Sequence, residues 1–317
     1  MAPQSMRLGF GTAQALVTCP TGASHLDKGL HCQDACSVAQ QFFRGVPYSV
    51  MVVADGHGSA KYSRSDIGAH LAVEAAREAA SELVMALASL RAEHPDEWHR
   101  LIDNAASRLG SALVKRWRAR VHAHASDHPE AGVGPDHAAW LGRYGTTVAL
   151  AIVYDDNWLI TGRLGDSALF AVSRQGGQCQ VQELVANPEL EVGLGTDSLI
   201  SERAPYVCRV EVTSMLHSPP AMLLLTTDGL TDSLEDLSDV LGTIYDNTMR
   251  HGMEWLQRVL PRQLALWSAE GVGDDMGCIV FLPLQPYVDQ KHDSVTSSSR
   301  QSDAFEQEGG SDEQHSH

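Results

Sequence analysis

Apolar residues at Ile67, Leu71, Ala75, Ala79, Leu83, Leu87 and Leu90 recur every three to four positions, the period of one face of an α-helix. A second series runs through Trp98, Ile102, Ala105, Leu109 and Ala112, with Leu101, Leu113, Trp117 and Val121 beside it. Between them lies Glu93-His94-Pro95, so the pattern predicts a helical hairpin that turns there. Elsewhere the period shortens. Runs rich in aliphatic and β-branched residues, bounded by Gly or Asp, predict strands over 6–11, 49–54, 147–154, 158–163, 168–173, 180–184, 206–213, 222–227 and 277–282. Two more helical stretches are expected over 233–250 and 253–269, the second interrupted at Pro261. Short strands in hairpin succession imply antiparallel pairing. With helices available to cover both outer faces, the expected fold is α+β: a four-layer αββα sandwich of two central antiparallel sheets flanked by helix pairs.

Composition adds boundaries to this picture. The 317 residues are 43% hydrophobic, enough for the core of one large domain. Past Pro286 the chain turns polar, with seven acidic residues against two basic ones over 285–317. That stretch is expected to be an acidic, Ser/Gln-rich disordered tail, leaving 1–284 as the folded domain. A formal charge of -17 repels phosphate backbones and anionic membrane surfaces, and the one basic patch is Lys115-Arg116-Trp117-Arg118. Neither nucleic acid nor membrane is therefore an expected partner. The longest apolar run, 148–154, falls far below the roughly 18 residues that span a bilayer. Six cysteines in a chain with no export-type leader read as reduced thiols of a cytoplasmic protein. None of this fixes the oligomeric state.

The chemistry is carried by where aspartates fall relative to strands. Asp55 follows Val-Met-Val-Val-Ala, Asp166 follows a strand through Leu-Gly, Asp228 follows Leu-Leu-Leu-Thr-Thr, and Asp274-Asp275 precedes Met-Gly-Cys-Ile-Val-Phe-Leu. Carboxylates at strand ends are held rigidly at a sheet's rim, where several can converge. Such a cluster repels itself unless a divalent cation neutralises it, and oxygen-only ligands suit Mg²⁺ or Mn²⁺ better than Zn²⁺. Among the glycines beside them, Gly56 and Gly58 are expected to let backbone carbonyls approach a metal where a Cβ would obstruct, and Gly229 to allow a left-handed conformation after Asp228.

Six segments in order, His31-Cys32-Gln33-Asp34, Val53-Ala54-Asp55-Gly56-His57-Gly58, Tyr144-Gly145-Thr146-Thr147, Leu164-Gly165-Asp166-Ser167, Thr227-Asp228-Gly229-Leu230 and Gly273-Asp274-Asp275-Met276-Gly277, resemble the motifs of the metal-dependent type 2C protein phosphatases, in a bacterial-like form. The resemblance spans about residues 8–283. It implies that 1–284 is a catalytic domain and that the protein is a serine/threonine phosphatase, a phosphoric monoester hydrolase active in signalling. By the same resemblance Asp55 bridges two Mn²⁺ or Mg²⁺ ions, the Gly56 carbonyl binds one, and Asp228 with Asp274 binds the other. Asp166 and Asp228 hold a third, weaker ion. Asp34 acts through metal-bound water, with Gln33 behind it. Hydrolysis then proceeds by direct attack of a metal-bridging hydroxide on phosphoserine or phosphothreonine, and His57 protonates the leaving oxygen. The partner implied is a phosphorylated protein, opposing a Ser/Thr kinase.

Two positions depart from the family pattern. An Arg that grips substrate phosphate is expected five residues before Asp34, where this chain has Gly29, with Lys28 adjacent. Lys28 and Arg64 are the candidate replacements, with Arg163 a further cation on a strand. The usual Glu is Gln33, which removes one negative charge near the ions. Loss of the Arg keeps open a second reading, a catalytically silent phosphatase-like module that binds a phosphoprotein. Retention of Asp55, His57, Asp228 and Asp274 speaks for the enzyme. Cys32 and Cys36 with His25 and His31 also admit a zinc site.

Overall fold

Strands that are apolar on both faces need cover on both faces, and the layers of this protein follow from that requirement. The computed structural model describes residues 4–7, 13–129, 140–176, 178–186 and 197–283. The chain divides into a unit spanning Met1–Leu284 and a second spanning Gln285–His317; the second, with the acidic-tail reading, lies outside the described residues.

Among the described residues the strands form two antiparallel sheets. The six-stranded sheet has the order β1 (Gln4–Arg7), β2 (Gln14–Thr18), β11 (Cys278–Leu282), β10 (Met222–Thr226), β7 (Ala168–Gln175) and β8 (Gln178–Leu184). The five-stranded sheet has the order β3 (Ala35–Phe43), β4 (Val46–Ala54), β5 (Val148–Tyr154), β6 (Trp158–Leu164) and β9 (Arg209–Ser214). Successive side chains point to opposite faces, and the two faces enter different cores. In β5, Val148, Leu150 and Ile152 pack against helices, whereas Ala149, Ala151 and Val153 pack between the sheets. In β10, Leu223 and Leu225 join that inter-sheet layer, while Met222 and Leu224 face the helices on the other side.

The helices are α1 (Ala23–Lys28), α2 (Ser65–Glu93), α3 (Trp98–Ala106), α4 (Leu109–Asp127), α5 (Ala204–Val207), α6 (Asp228–Ser233), α7 (Leu237–His251) and α8 (Met253–Glu270). Helices α2 to α4 cover the five-stranded sheet, and α7 with α8 cover the six-stranded one. Three apolar cores therefore lie between four layers, the expected αββα sandwich. Its helix α2 presents Gly68, Ala69, Ala72, Ala75, Ala76, Ala79 and Ala80 inward, which permits close packing on the sheet.

Several local expectations are corrected. The second helix of the hairpin is broken at Ser107–Arg108, where the Ser107 hydroxyl bonds the Asn104 carbonyl at 2.8 Å and competes with helix continuation. Pro261 lies inside α8 without ending it. A Pro in a helix interior costs about 3 kcal/mol, which burial of Leu256, Leu260 and Leu264, each worth about 1.5–3 kcal/mol, offsets. The stretch expected over 233–250 begins later, with the Asp236 side chain capping α7 through the Asp239 N–H at 3.0 Å. The short helix α5 replaces the start of the strand expected at 206. Of the strand expected over 6–11, residues 8–11 lie outside the described residues, as do residues 187–196.

Candidate active site

Every motif aspartate sits at a strand end on one rim of the sandwich. Asp34 immediately precedes β3, Asp55 immediately follows β4, Asp166 lies in the turn from β6 to β7, Asp228 opens α6 after β10, and Asp274-Asp275 precede β11. One carboxylate oxygen from each of Asp55, Asp166 and Asp228 comes within 4.8 Å of the others. Burial, reinforced by the charges of Asp34 and Asp228, pushes the Asp55 carboxyl well above the usual carboxylate range. Burial and the Asp166 charge raise Asp228 to about 7. Asp34 is buried as well; its Oδ2 accepts hydrogen bonds from Thr227 Oγ1 at 2.6 Å and Gly277 N–H at 2.9 Å. Burial first, and then the Asp275 charge, holds its carboxyl high despite those bonds.

The donor set fits a hard divalent cation. Three mutually repelling, desolvated carboxylates at this spacing are costly alone and are relieved by a 2+ charge that takes oxygen ligands. A cleft of about 860 Å³ opens beside them, lined by Asp166, Asp228, Asp232 and Glu183 among others. Asp274 does not join the three. It is exposed, its Oδ1 accepts the Asp275 N–H at 2.8 Å, and it groups with His25 and Asp275. Its charge nevertheless acts on Asp228. Among the described residues, the groupings of three or more metal-type side chains contain no cysteine, so the zinc reading of Cys32 and Cys36 finds no support. All six cysteines are free thiols.

Of the glycines beside these aspartates, Gly229 departs from expectation. A Cβ on Gly229 would lie 2.0 Å from the Asp275 carbonyl, and Gly229 sits in α6 without a positive φ. It is required for close approach of two segments, not for a left-handed turn. A Cβ on Gly56 would lie 2.5 Å from the Gln33 carbonyl, which binds the Asp34 segment tightly against Asp55.

His57 is half-buried and fixed on several sides. Its backbone N–H donates to the Gly145 carbonyl at 3.1 Å, its ring lies 4.7 Å from the Tyr62 ring, and its Nε2 is 2.8 Å from Ser198 Oγ. Burial lowers its pKa, with Asp166 opposing.

The candidate phosphate cations separate clearly. Lys28 is exposed at the end of α1, next to Gly29, which caps that helix at φ 68. Arg64 is committed elsewhere: its guanidinium donates to Tyr144 Oη and to the His128 carbonyl, both at 2.7 Å. These two bonds hold Arg64 against Tyr144 and the end of α4. Arg163 is buried, bonds Glu183 at 2.5 Å, and donates to the Gly165 and Asp166 carbonyls at 3.2 and 3.1 Å. It shapes the turn that carries Asp166. Gln33 is tied through its backbone N–H to Asp275 Oδ2.

Four functional contacts escape sequence reasoning: Thr227 and Gly277 on Asp34, Asp275 on Gln33, and Ser198 on His57. The one available signal was the doubled Asp274-Asp275, since a second carboxylate beside a strand that is buried must be satisfied by hydrogen bonds.

The family model described as Protein phosphatase 2C matches residues 21–265. No curated protein matches the chain. Among solved structures, a bacterial serine phosphatase is 15% identical with a TM-score of 0.54, covering 88% of this chain and 100% of its own. The serine-threonine phosphatase 2C of Toxoplasma gondii is 14% identical with a TM-score of 0.59, covering 85% of this chain and 94% of its own. Neither identity level carries more than the fold. Among the described residues, no helix is long and apolar enough to cross a membrane.

Proposed function

Because the chain belongs to the protein phosphatase 2C family of metal-dependent protein serine/threonine phosphatases, we propose that it hydrolyses phosphoserine and phosphothreonine in proteins with Mn²⁺ or Mg²⁺ held by Asp55, Asp166 and Asp228. The observation that carries this reading is the convergence of those three carboxylates, drawn from separate strand ends, within 4.8 Å. By the family resemblance the Gly56 carbonyl and Asp274, which lies outside the group of three, would complete a ligand set for two ions, with a third held more weakly by Asp166 and Asp228. The ions, when bound, supply a nucleophile at neutral pH and offset charge on the phosphoryl oxygens.

The protein's own residues do the rest. Asp34, anchored by Thr227 and Gly277, presents its second oxygen as a fixed acceptor that orients water. His57 supplies a proton to the departing serine or threonine oxygen, whose alkoxide is a poor leaving group. Lys28 is the proposed phosphate contact, a single point charge in place of a bidentate fork. The substrate is a phosphoprotein opposing a Ser/Thr kinase, in the cytoplasm. Hydrolysis of phosphothreonine and phosphotyrosine peptides in Mn²⁺, Mg²⁺ and chelator tests the proposal. Metal-dependent turnover of the phosphothreonine peptide is expected; none with any ion would refute it.

A further inference from the structure

The His57 imidazole is held by more than its place in the motif. A Cβ on Gly145 would lie 2.5 Å from His57 Cδ2 and 2.7 Å from Tyr62 Cδ1, so a bare backbone closes one side of the ring and Tyr62 another. At the ring's edge Nε2 meets Ser198 Oγ at 2.8 Å. Ser198 is 7% exposed, so water does not compete freely for its hydroxyl. That hydroxyl also reaches the Thr146 carbonyl at 3.2 Å, where the Leu199 N–H converges at 3.0 Å. Thr146 in turn donates from Oγ1 to the Asp55 carbonyl at 2.7 Å. Ser198 and the two polar groups of Thr146 therefore tie the His57 ring to the backbone of Asp55.

A hydroxyl has one proton to give. Spent on the Thr146 carbonyl, it leaves Ser198 Oγ an acceptor, and its partner must be an N–H on Nε2. We propose that Ser198 is a positioning residue that holds His57 with its Nε2 proton bonded to Ser198, reserving Nδ1 for proton transfer to the leaving group. This rests on the phosphatase reading above. The step balances from the doubly protonated ring: Nδ1 first takes a proton from solvent, that proton passes to the leaving oxygen as the P–O bond breaks, and the ring, positively charged before the step, is left neutral with its one proton on Nε2. Which ring nitrogen carries the proton is set by the bond the other one makes.

The test has two arms on the full-length, Mg²⁺-loaded protein. In the first, ¹⁵N spectra of the neutral His57 ring are recorded. A protonated Nε2 and a bare Nδ1 are expected in the wild type; a protonated Nδ1 would overturn the proposal without touching the phosphatase reading. In the second, Ser198→Ala and Ser198→Thr are compared on phosphothreonine peptide and aryl phosphate. Ser198→Ala is expected to lower kcat on the peptide about ten-fold more than on the aryl ester, whose leaving group needs little protonation, with KM unchanged. Ser198→Thr keeps the hydroxyl and is expected to recover most of that loss. Equal losses on both substrates would overturn the positioning role. A wild type inactive on every phosphopeptide would instead sink the phosphatase reading, and the spectra would still decide the tautomer.

Discussion

Asp275 Oδ2 accepts a 2.6 Å hydrogen bond from the backbone N–H of Gln33, joining positions 242 residues apart in the chain. The same carboxylate takes the Gly22 N–H at 2.7 Å and His25 Nδ1 at 2.9 Å, with only 2% of the residue exposed. One side chain thus fixes the segment leading into Asp34 relative to the last strand. Asp275→Ala strands these donors in the interior and is expected to lower unfolding stability by about 3–5 kcal/mol. Asp275→Asn, which keeps one oxygen, should lose less. Urea unfolding curves check both, and an unchanged midpoint in the alanine variant would contradict the tie.

Asp55→Asn and Asp228→Asn are each expected to abolish nearly all phosphopeptide turnover, and chelator should do the same to the wild type until Mn²⁺ is restored. The same substitutions relieve repulsion among buried carboxylates. Metal-free Asp228→Asn should therefore melt higher than the metal-free wild type while binding Mn²⁺ more weakly. Calorimetry of both proteins, with and without Mn²⁺, separates these effects.

The raised carboxyls also set a pH dependence. A carboxyl whose folded pKa lies above its unfolded one binds protons more readily in the native state, so its stabilising contribution is full at low pH. For Asp228 that contribution disappears as pH rises from the ordinary carboxylate range through about 7. The metal-free protein is expected to melt lower at about pH 8 than at about pH 5.5 on this account, and Mn²⁺ should raise the melting temperature more at the higher pH. A metal-induced shift that shrinks with rising pH would contradict the assignment.

Arg64→Ala should lower the melting temperature, because it releases Tyr144 and the His128 carbonyl, yet leave the phosphopeptide KM within about two-fold of wild type. Lys28→Ala should raise KM about ten-fold with little change in stability, the loss of one charge-assisted contact. Gly29→Arg places a side chain at φ 68 and is expected to cost about 1 kcal/mol of stability, limiting any gain in phosphate binding. Steady-state kinetics and thermal melts on the three variants decide among these roles.

Deleting residues 286–317 is expected to leave peptide phosphatase activity and melting temperature nearly unchanged, because so polar a stretch has little apolar surface to bury. A large fall in melting temperature would show that it packs on the body.

The parts of this fold that were legible are those whose signal is local. Helix α2 advertises itself through a repeating apolar face, and β5 through an unbroken aliphatic run between Gly and Asp. Helix α1 escaped because six residues span less than two helical turns, too little periodicity to read. Pro261 misled because tertiary burial overrode a local propensity. The site divides the same way. Asp55, Asp166 and Asp228 stand in short motifs with strands beside them. The partners that aim the chemistry are remote: Ser198 lies 141 residues from His57, and Thr227 lies 193 from Asp34. No spacing rule links such pairs: the packing of one sheet on the other brings Thr227 to Asp34, and the docking of the 198–199 segment on Thr146 brings Ser198 to His57.

That packing gives the inter-sheet layer a second job. Asp55 leaves the five-stranded sheet, Asp228 leaves the six-stranded one, and Asp166 sits where the chain crosses from one to the other. The three therefore meet across a seam, and their separation works like a vernier on the alignment of two otherwise self-sufficient slabs. A slide of one slab by a fraction of a residue repeat would leave each ladder of hydrogen bonds intact and still pull the carboxylates apart. Met51, Val53, Ala149, Leu223, Leu225 and Ile279, which interlock in that layer, act as the detents that hold the reading.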